Sequence, residues 1–63
     1  MQDQPLMLKR GQRVVIADRS SRFFGLTGRI TVVQKSPAKY WISLESRVTP
    51  PEVRARPWQV QAI

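Results

Sequence analysis

Apolar residues recur along this chain in short runs spaced by two, and no stretch carries the three-and-four spacing of a helical stripe. Residues 12–17 (QRVVIA) are rich in β-branched side chains. There Val14 and Ile16 alternate with Arg13 and Val15, which predicts a strand with one buried face. Gly11 just before it suits the turn into that strand. Residues 18–28 (DRSSRFFGLTG) turn from polar to aromatic and are punctuated by two glycines, which predicts a loop. A second strand comes next over 29–34 (RITVVQ), with Ile30 and Val32 on one face and Arg29, Thr31 and Val33 on the other. Residues 35–38 form a turn around Pro37, which cannot donate to a ladder.

The third strand runs from Lys39 or Tyr40 to Glu45, with Tyr40, Ile42 and Leu44 on one face and Trp41 and Ser43 on the other. Residues 48–53 read as a turn or an edge, and 53–56 as a short fourth strand with Arg54 and Arg56 outward. Pro57 opens a 3₁₀ turn, after which Val60 and Ile63 close the core. Short strands at roughly 8–12-residue spacing, with Gly and Pro between them, mean an all-β barrel or sandwich. In so short a chain the workable form is a five-stranded barrel, because closure removes exposed sheet edges. The expected core is Val14, Ile16, Ile30, Val32, Ile42, Leu44, Val60 and Ile63. Gly25 and Gly28 flank Leu26 and Thr27 where the chain reverses, and the simplest reading gives both to the turn.

Composition narrows the chemistry. At 63 residues and 7.3 kDa the chain is one domain, hiding about 60% of its unfolded surface and leaving no room for a cavity between two lobes. It has neither cysteine nor histidine, which excludes disulfides, thiolate and imidazole zinc sites, and Ser-His or Cys-His catalysis. Asp3, Asp18, Glu45 and Glu52 form no close pair in sequence for acid–base work. There is no P-loop and no GxGxxG. The expectation is a protein that binds and does not catalyse, with no cofactor, no metal and no small-molecule substrate.

Net charge is +7, from 11 Lys+Arg against 4 Asp+Glu, so an anionic partner is expected. Residues 9–35 hold seven cations against Asp18 alone, a net of +6, while residues 36–63 net +2 and residues 1–8 net −1. Eight of the eleven cations are arginine, whose planar fork suits phosphate or carboxylate and stacks on aromatic rings. Residues 1–8 contain Asp3 and Pro5 and no apolar run of signal-peptide length, and nothing approaches the roughly 20 apolar residues of a membrane span. A cytoplasmic protein is expected, with peripheral association to a membrane complex left open.

The run Gly11-Gln12-Arg13-Val14-Val15-Ile16, followed by Phe24-Gly25-Leu26-Thr27-Gly28-Arg29-Ile30, resembles the KOW motif of SH3-like barrels. The closing Trp58-Gln59-Val60-Gln61-Ala62-Ile63 is similar to the last turn and strand of the carboxy-terminal KOW domain of NusG-type proteins. The resemblance implies a five-stranded SH3-like barrel over 8–63, behind a flexible segment at 1–7. It also implies RNA or protein binding, since KOW domains of ribosomal proteins bind RNA and those of transcription factors bind proteins. Small barrels of this kind also serve as accessory subunits of photosynthetic electron-transfer complexes. The loop before Gly25 (Arg19-Ser20-Ser21-Arg22-Phe23-Phe24) is longer and more basic than the turn of a minimal KOW unit.

The expected site is a basic face of Arg13, Arg19, Arg22, Arg29, Lys35, Lys39, Arg54 and Arg56, interleaved with Phe23 and Trp41. Exposed aromatics beside arginine make a stacking platform for unpaired bases, so RNA or a ribonucleoprotein is the leading partner. The alternative is docking of an acidic protein, with Trp41 as the apolar centre. A solvated basic surface with no partner is the plain third reading. Trp58 is expected to plug one end of the barrel.

Overall fold

The computed structural model describes residues 8–63, and the expected flexible segment at 1–7 lies outside them. Five antiparallel strands form one sheet: β1 (Arg13–Ile16), β2 (Thr27–Lys35), β3 (Ala38–Leu44), β4 (Glu52–Ala55) and β5 (Val60–Ala62). Their order across the sheet is β4-β3-β2-β1-β5, and a 3₁₀ turn (Pro57–Gln59) lies between β4 and β5. The fold is all-β, as the spacing of two predicted. Five flat strands would set β4 and β5 about 19 Å apart at about 4.8 Å per step, so a link of four residues requires a strongly curled sheet. No ladder joins β4 to β5 among the described residues, and each is an edge of the sheet.

The inner face carries a core of Val14, Ile16, Ile30, Tyr40, Ile42, Leu44, Ala55 and Val60, with Leu8, Phe23, Leu26, Val33, Val48 and Val53 packed on it. Tyr40 is buried to the tip, and its hydroxyl accepts a hydrogen bond from the Leu8 N–H at 3.3 Å. Six of the eight expected core residues are buried; Val32 and Ile63 are 45% and 62% exposed.

Val32 is a correction with a local cause. Ile30 pairs with Ile42 while Val32 pairs with Trp41, so Thr31 is one extra residue on β2. A bulge of this kind reverses the inward–outward alternation of every later residue on the strand. Val32 therefore turns outward beside Trp41, and Val33 turns inward beside Tyr40. The Thr31 hydroxyl fills the bulge, reaching the Trp41 carbonyl at 3.2 Å and a Glu52 carboxylate oxygen at 3.1 Å. Ile63 lies beyond the last strand and has only a backbone hydrogen bond, to the Arg13 carbonyl. Trp58 is the third correction: it projects from the 3₁₀ turn, 61% exposed, and plugs nothing.

The two glycines of the loop separate in function. Gly25 has φ +86° with open space where a side chain would stand, so it serves the turn. Gly28 lies inside β2, buried, between Val14 on β1 and Leu44 on β3. It is needed for close approach of backbone, not for a turn.

Candidate functional site

Two groups of cations emerge from these strands. The first is on the outer face at the centre of the sheet, where Arg13 and Arg29 are cross-strand partners. Arg13 is not free to bind. Its guanidinium donates to both carboxylate oxygens of Glu45, at 2.8 and 2.7 Å, and the Thr27 hydroxyl donates to the same carboxylate at 2.6 Å. Arg29 donates to the Gly11 carbonyl at 3.1 Å.

The hydrogen bonds from Arg13 and Thr27 hold the Glu45 carboxyl at about 2, well below its ordinary 4.5, and Glu45 in turn raises Arg13. A carboxyl depressed on folding adds stability that is whole above its unfolded value and is lost as pH falls through its folded one. Between about pH 4.5 and 2 the melting temperature should therefore drop, and Glu45→Gln should flatten that part of the curve. Thermal melts at intervals across the window check this; identical slopes for the two proteins would remove Glu45 from the acid response. Added salt should shrink the difference, because the pair is solvent-accessible.

The second group surrounds β4. Register places Arg54 opposite Trp41, and the guanidinium carbon sits 5.0 Å from the ring centroid. The indole N–H beneath is enclosed and has no acceptor among the described residues. Arg22, in the loop between β1 and β2, lies 5.1 Å over the Phe23 ring and donates to the Thr49 carbonyl at 3.4 Å. Between that loop and β4 runs a cleft of about 380 Å³, with Arg22 and Arg54 at its sides and Phe23, Val53 and Ala55 on its floor. A shallower hollow of about 150 Å³ continues past Arg54 toward Lys39 and Arg56.

The loop wall is built, not loose. Asp18 accepts from the Ser20 N–H and hydroxyl at 3.0 and 2.7 Å, which makes an Asx turn at the loop's start. Its second oxygen accepts from the Gln59 amide at 2.8 Å, and these bonds lower the Asp18 carboxyl. Gln59 also takes the Arg56 N–H on its side-chain oxygen at 2.7 Å, and its carbonyl takes the Ala17 N–H at 2.8 Å. One glutamine therefore ties the loop, the 3₁₀ turn and the end of β1 together. The Glu52 carboxylate is likewise engaged, by Thr31, so each of the three acidic residues from 8 to 63 has a local partner.

No family model, curated protein or solved structure matches this chain. The KOW resemblance therefore rests on the quoted residues alone.

The ten expected site residues divide accordingly. Arg22, Phe23, Lys39, Trp41, Arg54 and Arg56 gather around β4, with Trp41 joined to the group through Arg54. Arg13 and Arg29 form the separate central pair. Arg19 is exposed in the loop and Lys35 at the far end of β2; neither lines the cleft. Sequence reasoning missed Asp18 and Gln59 as organisers of the cleft wall. A glutamine in the third position of a short turn, able to reach back to the N-cap amide, was the available signal.

Proposed function

We propose that this protein is a non-enzymatic docking module that takes an acidic segment of a protein partner in the cleft beside β4. The observation behind this reading is the placement of Arg22 and Arg54 in the cleft and of Lys39, Arg54 and Arg56 in the hollow beside it, with Phe23, Val53 and Ala55 among the cleft's lining residues. Guanidinium groups bind carboxylates through paired hydrogen bonds, and the floor offers apolar burial that a phosphate chain does not use. One further feature favours protein over RNA. Trp41 and Phe23 each already have a guanidinium over the ring, which leaves less face for a base. A role as an accessory subunit of a larger complex fits the same reading.

RNA is the second reading, favoured by Phe24 (49% exposed) and Trp58 as open rings on a strongly basic chain. Titration with a polyglutamate peptide and with polyuridine separates the two. The peptide should bind, and Arg54→Glu should weaken it about tenfold or more with the fold intact by circular dichroism. Polyuridine binding with no peptide binding would transfer the function to RNA. Its log affinity would then fall with log salt by about 0.7 per phosphate contact.

A further inference from the structure

Among the described residues, β4 pairs with β3 on one side and with no strand on the other. The hydrogen bond from the Leu44 N–H to the Pro51 carbonyl, 2.8 Å, sets the phase of that ladder. In antiparallel pairing, bonded and non-bonded positions alternate. Val53 and Ala55 therefore direct their backbone groups at β3, while Glu52 and Arg54 direct theirs away from it. By that phase the Arg54 N–H and C=O take no part in the β3 ladder, and neither has a backbone partner outside the strands among the described residues. The ladder phase ends there, because both backbone groups of Arg56 are taken by Gln59.

We infer that an extended segment of the partner adds to β4 as an extra strand, hydrogen-bonded at Arg54, with acidic and apolar residues alternating along it. The inference rests on the docking reading and specifies its geometry. Strand addition takes affinity from the main chain and specificity from alternate side chains. A partner residue opposite Arg54 shares its outer side of the sheet, where Arg54 and Arg56 favour a carboxylate. The residues on either side of it point to the inner side, onto Phe23, Val53 and Ala55. Glu52 lies two residues from Arg54 on the outer side, so it opposes an acid there and sets the register.

Charge also selects the edge and the occupant. β5, the other edge, carries no charged residue. Net charge opposes a second copy of this chain as the occupant, since each copy carries +7.

The test uses three synthetic hexapeptides and backbone amide exchange. One peptide alternates acid and valine, one has the same composition with acids and valines in two blocks, and one is the alternating peptide N-methylated at its central amides. The alternating peptide should bind at least about tenfold more tightly than the other two and should slow exchange of the Arg54 amide. Glu52→Gln should tighten it further. Equal binding by the alternating and block peptides, or an Arg54 amide that exchanges unchanged, would overturn strand addition and leave the docking proposal standing. Binding of polyuridine with none of the three peptides would overturn both.

Discussion

Gly28→Ala should be among the most damaging single-methyl additions to this protein, costing about 3 kcal/mol or more in denaturant unfolding. A Cβ built at Gly28 would stand 2.5 Å from the Ser43 carbonyl oxygen, 2.7 Å from Ile42 Cγ2 and 3.1 Å from the Leu44 Cα. Two of those three atoms are backbone, so no rotamer change relieves the contact. β2 and β3 would have to part at the Gly28–Leu44 pair. Gly25→Ala is the informative control, because it meets no atom within 4 Å but must hold φ at +86°. Its cost should be the conformational one alone, about 1–2 kcal/mol. If Gly28→Ala cost no more than Gly25→Ala, the spacing of the two strands would be softer than its geometry implies.

Ile30→Ala should cost roughly 2–5 kcal/mol, through lost burial and the cavity left behind. A 63-residue domain has on the order of 3–9 kcal/mol in total, so this variant should be largely unfolded at moderate temperature. Ile30 is almost wholly buried, next to the bulge that ends the inward run of β2. Val32→Ala, two residues away, should cost less than about 1 kcal/mol because Val32 faces outward. Melting temperatures of the two variants, measured side by side, check the bulge directly. Equal losses would contradict it.

The strands were legible because alternation is a local signal. Val14 and Ile16, or Tyr40, Ile42 and Leu44, declare a buried face within a few residues. The bulge was not legible. Ile30, Val32 and Val33 are all β-branched, so alternation inward at 32 or at 33 fits the sequence equally well, and only the register with β3 decides. Ala55 is too small to declare itself as core in the sequence, although its pairing opposite Tyr40 sets it on the buried face. Trp58 and Ile63 were assigned inward on hydrophobicity alone, a criterion that fails at chain ends and short turns where few neighbours are present to cover them.

For the site, the sequence supplied the arginines and the outward direction of Arg54 and Arg56. It could not show that Arg13 is occupied by Glu45, since 32 residues separate the partners. Nor could it show the cleft, which forms only where the loop after β1 and the edge strand β4 come together in the fold.

Thr31 also divides β2 into two lengths that obey opposite rules. Before it, Gly28 and Ile30 belong to the interior; after it, Val33 does. Removing Thr31 would leave an unbroken ladder in which Val32 still faces outward against Trp41 and Val33 still faces inward against Tyr40, whereas regular alternation with Thr31 kept would deliver Val32 to the core. The connection from Glu45 to Pro51 has no such phase to keep. Length variation in related chains should therefore collect in that connection, and within β2 it should be confined to loss of the bulge residue, which makes the bulge a marker for alignment as well as a bend in a strand.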